Sequence, residues 1–311
     1  MKFKDILDAI GHTPLVELPR LSPKKGVRIF AKLEGNNPTG SVKDRIALYM
    51  IRQAEENGNL TRDKTILEAT SGNTGISLAM IGQRKGYRVK VVMPESVSPE
   101  RVELLHLFGA EIVFSEGSGG TNRAIEVAQE MAAKDGQYFM PYQYGNEANP
   151  QAHYETTAPE IIEDLPDIDA FVAGLGTGGT LMGVGRRLKE HDSNTRIVAV
   201  VPNPGDRIMG LRSLEEGFTP PIVDLGLLDS RIVVDSKQAF VATRELTKKE
   251  GLFAGISSGS VIVCAQRVAQ RMEKGNIVAL LADGGWKYLS TRLWTRAIED
   301  MESDIDSLIW W

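Results

Sequence analysis

Residues 171–184 read FVAGLGTGGTLMGV: a short apolar run, a turn of glycine and threonine, then an apolar stretch of helical period. The same order recurs in LEATSGNTGISLAM (67–80) and FAGISSGSVIVCA (253–265). A strand that turns through glycine directly into a helix leaves the first backbone N–H groups of that helix without partners, where the dipole also favours negative charge. In open α/β sheets such turns gather at the carboxyl ends of the strands, where ligands bind. One glycine turn is weak evidence. Three in one chain point to an anionic small molecule.

Outward from these turns, short β-branched runs at 65–69, 88–93, 111–115, 170–173, 196–201 and 277–282 alternate with amphipathic stretches at 44–57, 99–108, 121–134 and 260–274. Strands alternating with helices of this length imply βαβ units and parallel sheets. So many elements exceed one small sheet. The expected fold class is therefore α/β, with two lobes of twisted, mainly parallel sheet flanked by helices and a cleft between them. The turn-rich QYGNEANP (143–150) is the expected crossing point, and 203–221 is the longest stretch without periodicity, a kind of loop that often carries function.

Composition narrows the function classes. The 311 residues are 42% hydrophobic and 25% charged, enough for one large two-lobed domain or two intimate ones. A net charge of −5 without any Lys/Arg block argues against bulk affinity for nucleic acid or acidic membrane. The single cysteine, Cys264, rules out an intrachain disulfide and suits a reducing, cytoplasmic setting. Asp5 and Asp8 interrupt the short apolar stretch at the N-terminus, which reads as neither signal peptide nor membrane span.

GLGTGG (174–179) also satisfies the G-x-G-x-x-G dinucleotide pattern, making a nicotinamide-dependent dehydrogenase the rival reading. That rival needs an acidic residue at the end of the next strand. RIVAVVPNP (196–204) ends in Pro202 and Asn203 instead. A phosphate monoester needs only the turn, and pyridoxal phosphate carries one. No Gly-Lys-Ser/Thr completes a P-loop. His12, His106, His153 and His191 are scattered without ligand spacing, so no metal site is expected. All four read as surface or core polar residues, His12 being the one near a candidate site element.

GNNPTGSVKDR (35–45) sets Lys43 between a Pro/Gly turn and a helical stripe of Ile46, Ala47, Met50, Ile51 and Ala54. Ser41 and Asp44 have capping-box spacing, which puts Lys43 in the first turn. There the positive end of the dipole lowers its pKa. A lysine that readily loses its proton suits Schiff-base formation.

Taken together, GNNPTGSVKDR, EATSGNTG (68–75), GLGTGGT (174–180), GISSG (255–259) and WKYLST (286–291) resemble the cysteine synthases, in the tryptophan-synthase-β-like class of pyridoxal-phosphate enzymes. The resemblance runs from IGHTPLVELPRL (10–21) to the region of Thr291. FVAGLGTGGTLMG, QYGN, LRSLEEGF and GWKYLST look closest to the cysteine synthase B branch, and within it to the actinobacterial-type enzymes that take O-phosphoserine and a thiocarboxylated sulfur-carrier protein. It implies the fold type II architecture with the cofactor in the interlobe cleft. Residues 43–145 would form a smaller, mobile substrate-binding lobe, and 1–42 plus 146–311 a larger lobe for the cofactor phosphate. The implied cofactor is pyridoxal 5'-phosphate, bound to Lys43, which also serves as acid and base at Cα.

Site roles follow from the same resemblance. Asn73 would meet the ring hydroxyl, and Gly176, Thr177, Gly178, Gly179 and Thr180 the phosphate. Ser257 would face the pyridine nitrogen, while Thr70, Ser71, Thr74 and Gln143 would hold the substrate carboxylate. A serine at the ring nitrogen gives a weaker electron sink than an aspartate, which favours prompt loss of a β-leaving group. The implied reaction is β-replacement through a bound aminoacrylate, giving L-cysteine or a cysteine adduct. A cystathionine β-synthase-like enzyme or a serine/threonine dehydratase on the same scaffold is the alternative, although the dehydratases usually carry an added regulatory region. A phosphate leaving group calls for the guanidinium fork of an arginine. Arg212, in GLRS, is the expected contact and Arg207 the weaker candidate. The resemblance also implies a homodimer. The apolar end, Leu308, Ile309, Trp310 and Trp311, reads either as a cover for the cleft or as intersubunit packing. Thr291-Arg292 departs from the Thr-Gly that the family often shows there.

Overall fold

The computed structural model describes residues 2–70, 72–206 and 208–296. Two sheets organise the chain. The smaller is four-stranded and wholly parallel, built from β3 (Thr65–Ala69), β4 (Arg88–Pro94), β5 (Glu111–Ser115) and β6 (Tyr138–Phe139) in the order β5-β4-β3-β6. The larger is six-stranded, in the order β1-β2-β10-β7-β8-β9. Its strands are β1 (Leu15–Glu17), β2 (Val27–Leu33), β7 (Ala170–Gly174), β8 (Arg196–Pro202), β9 (Ser230–Val234) and β10 (Gly275–Leu281). Only the β1–β2 pair is antiparallel. β3 is buried at every position, Glu68 included, as expected of an inner parallel strand covered on both faces.

The helices are α1 (Lys43–Glu56), α2 (Asn73–Lys85), α3 (Pro99–Leu107), α4 (Gly120–Lys134), α5 (Ala148–Ala152), α6 (Ala158–Asp164), α7 (Gly179–His191), α8 (Ser236–Glu250) and α9 (Ile256–Gln270). Residues 143–150 connect β6 of the small sheet to α5. A single π turn, His153–Thr157, joins α5 to α6. None of the described helices is long and apolar enough to cross a membrane.

The sequence leaves out β1, β2, β6 and β9. β2 reads VRIFAKL, whose Arg28 and Lys32 mask a strand, yet Lys32 is fully buried and paired with Glu160 at 2.8 Å. The helix expected over 260–274 lies instead at Ile256–Gln270. Its first turn is ISSG, which reads as loop, but here it is packed against α8. A Cβ on Gly259 would stand 2.0 Å from the Ala239 carbonyl oxygen, so only glycine permits that approach.

Candidate functional site

Four helices start at one cavity. Lys43 opens α1, Asn73 opens α2, the glycine turn 176–178 leads into α7, and Ser257 is the second residue of α9. The cavity holds about 460 Å³ and is lined by Lys43, Thr70, Asn73, Thr74, Gln143, Gly176, Thr177, Gly178, Thr180, Arg212 and Ser257, with Arg101, Asp283 and Tyr288 among the others. The loop 203–221 closes one side, where the Arg212 N–H donates to the Leu175 carbonyl at 2.7 Å.

The turn before α7 is shaped for close approach. Gly178 has φ +91°, and a Cβ on Gly176 would meet the Gly210 carbonyl oxygen at 2.6 Å. Gly179 lies behind the surface, where a Cβ would stand 1.8 Å from Asn149 Oδ1. The first N–H groups of α7 have no intrahelical partner and add the dipole's positive end, a ready seat for a phosphate. Thr180 Oγ1 is 3.2 Å from His153 Nε2, whose Nδ1 is 3.0 Å from Thr157 Oγ1. Burial pushes His153 down to about 3, so the ring is neutral near pH 7.

Lys43 is less basic than an ordinary lysine because it is desolvated; Asp283 and Glu34 pull it partly back. Its place in the first helical turn points to the dipole as the cause, but the larger cause is burial. The capping box is not formed either. Asp44 turns inward, accepting from Thr39 N at 2.7 Å, from Thr39 Oγ1 and from Ser77 Oγ at 2.6 Å, and the cap residue is Val42. Ser41 Oγ accepts from Lys43 N at 3.3 Å.

Residues 6–283 match the family described as pyridoxal-phosphate dependent enzyme. The chain belongs to that family. A cysteine synthase of Staphylococcus aureus is 43% identical over 301 residues, covering 94% of this chain and 97% of the relative. The solved structure of O-ureido-L-serine synthase aligns with TM-score 0.90 at 38% identity, covering 97% of this chain and 100% of the other. A cysteine synthase of Entamoeba histolytica aligns with TM-score 0.89 at 36% identity, covering 99% and 96%. The protein is thus a pyridoxal-phosphate-dependent enzyme of α/β fold type II. Its residues fit that cofactor: a glycine turn packed so closely on its neighbours that a Cβ would collide with them, a desolvated lysine, and a buried serine, Ser257, in one cavity.

On the opposite wall, Thr74 Oγ1 donates to Gln143 Oε1 at 2.7 Å, and Thr70 Oγ1 accepts from Gly72 N at 3.1 Å. Ser71, Arg207 and the stretch Leu308–Trp311 lie outside the described residues. Arg212 is half-buried beside two aromatic rings that pack edge to face, with its guanidinium carbon 4.8 Å from the Phe218 centroid and 5.4 Å from that of Tyr144. Its Nη1 donates to Asn122 Oδ1 at 3.2 Å.

Several residues escaped the sequence reading. Asn149 Nδ2 donates to the Gln143 carbonyl at 2.8 Å and to Thr177 Oγ1 at 3.0 Å, tying two walls of the cavity together. Glu68 accepts from Gln143 N at 3.3 Å, and burial pushes its carboxyl up to about 8. Arg101 lays its guanidinium 5.2 Å from the Tyr288 ring centroid. Asp283 follows the apolar run of β10, and a charge directly after such a run was the available signal.

Proposed function

We propose that this enzyme is a cysteine synthase: it replaces the β-substituent of O-phosphoserine, or of O-acetylserine, by a sulfur nucleophile. The observation that carries this is the desolvated Lys43 amine in a cavity shared with the α7 glycine turn and Ser257. Pyridoxal phosphate, when bound, supplies the electron sink that makes the substrate Cα–H acidic. Gly176 to Thr180 would hold its phosphate, Asn73 would donate to its ring hydroxyl, Ser257 would face its ring nitrogen and Lys43 would anchor it. Thr70, Ser71, Thr74 and Gln143 grip the substrate carboxylate. Lys43 then takes the Cα proton, the β-substituent leaves, and Lys43 returns the proton once sulfur has added at Cβ.

Arg212 is proposed to receive a leaving phosphate, since its planar fork lies at the cavity beside the Tyr144 and Phe218 rings, with Asn122 holding one of its nitrogens. We further assign 43–145 as the smaller, moving lobe and 1–42 plus 146–311 as the larger. The enzyme is proposed to be a cytoplasmic homodimer, and a thiocarboxylated carrier protein is the proposed sulfur donor.

The test follows cysteine formation from each serine ester with sulfide, with carrier thiocarboxylate and with homocysteine in parallel. Cysteine from sulfide, or a carrier–cysteine adduct from the thiocarboxylate, lost by at least about a thousandfold in Lys43→Ala, is the expected result. Faster use of homocysteine, or release of pyruvate, would replace this reading by a cystathionine synthase or a dehydratase.

A further inference from the structure

Asn73 is held at both ends of its side chain by residues that permit one orientation only. Lys287 Nζ donates to Asn73 Oδ1 at 2.7 Å, and Asn73 Nδ2 donates to Asp283 Oδ2 at 2.7 Å. An ammonium can only donate and a carboxylate can only accept, so a flipped amide would face a donor with its NH2 and an acceptor with its oxygen. Both partners come from the segment 283–288, more than 200 residues along the chain. Lys287 is fully buried, and Asp283 and Tyr288 are each 2% exposed, so water cannot replace either bond.

The carboxylate is itself held. Tyr288 Oη donates to Asp283 Oδ2 at 2.5 Å, and a Cβ on Gly255 would lie 1.9 Å from Asp283 Oδ1. That Oδ1 is buried without a hydrogen-bond partner. Burial draws Lys287 down to about 8 against Asp283 and Asp44, so the ammonium form still prevails at neutral pH.

We propose that Lys287 and Asp283 are positioning residues that lock the Asn73 amide with its second N–H directed at the cofactor. The lock rests on the reading given above, in which Asn73 donates to the ring hydroxyl. A flipped Asn73 would set its oxygen against the ring oxygen. The ring would then retain its hydroxyl proton, and the bound cofactor would absorb at shorter wavelength.

The holoenzyme's absorption spectrum and its affinity for pyridoxal phosphate test this in Asn73→Ala, in Lys287→Arg and in the double variant Lys287→Met with Asp283→Asn, which removes both one-way partners. In the double variant the visible band should pass largely to the shorter-wavelength form, with cofactor affinity about tenfold weaker or more, as befits one lost charge-assisted bond. Lys287→Arg, still a pure donor beside Asp283, should keep the native band. If the double variant does not fold, Lys287→Gln with Asp283→Asn is read in its place, because both new side chains accept either amide orientation. A native spectrum in either double variant, beside an altered one in Asn73→Ala, overturns the lock. An unaltered spectrum in Asn73→Ala overturns the assignment of Asn73 itself, and the lock with it.

Discussion

At the scale of single residues, burial rather than position sets the chemistry of the cavity. Lys43 begins a helix as its sequence setting suggests, but desolvation is the main reason it yields its proton. Arg212 shows the complementary case. Set beside the edge-packed pair of Tyr144 and Phe218 and tied to Asn122, its planar fork stands at the cavity wall, where it can pair with an anion. Arg212→Ala is therefore expected to lower kcat/KM for O-phosphoserine by roughly 10- to 100-fold, the range for one charge-assisted contact, and to leave O-acetylserine within about twofold. An equal loss with both esters would remove Arg212 from leaving-group recognition. Arg292 explains a smaller departure. It stands where the family often has glycine and takes φ +53°, the left-handed region that glycine enters freely.

At the scale of elements, the readable parts are those whose β-branched or apolar run is continuous with turns at its ends. β3 and β5 lie where the sequence puts them because their apolar runs are bounded by turns on both sides. β2 was hidden by Arg28 and Lys32, and the second is buried only because Glu160 arrives from a helix 128 residues away. The glycine turns of the site were legible for a local reason, since each strand, turn and helix is continuous in sequence. Asn149, Asp283 and Lys287 were not, because what matters in each is a partner supplied by a distant segment. The start of α9 was misplaced because ISSG looks like loop when the face of α8 it meets is unseen. Gly259→Ala tests that contact. Its Cβ would fall 2.0 Å from a backbone oxygen of α8 and 2.3 Å from Thr243 Oγ1. The expected cost is about 1–3 kcal/mol, or a fall in Tm of roughly 2–10 °C by calorimetry. An unchanged Tm would mean that α8 and α9 can separate freely.

At the scale of the whole molecule, the start of α1 is fastened to the larger sheet by a buried ion network. Arg45 bonds Glu34 at 2.7 Å and Glu160 at 2.7 Å, and Lys32 of β2 bonds Glu160 at 2.8 Å. The Glu160 carboxylate also accepts from the N–H groups of His12 and Thr13, so one α6 side chain ties the IGHTP segment, β2 and α1 together. Burial alone would raise the Glu160 pKa, but Arg45 and Lys32 outweigh it and hold the carboxyl down to about 2, against an ordinary value of 4.5. A folded-state pKa below the unfolded one gives stability that is complete above about pH 4.5 and is lost as pH falls toward 2. Removing one member of a buried ion group typically costs about 3–5 kcal/mol, because the remaining charges are left unpaired. Glu160→Gln should therefore unfold well below the native enzyme at pH 7. The gap in Tm should narrow steadily at pH 4 and pH 3, as the carboxyl of the unfolded native chain takes up a proton that its folded form still refuses, while the variant has no such group. A gap that stays constant across that range would show that Glu160 holds these segments by packing and neutral hydrogen bonds, not by its charge.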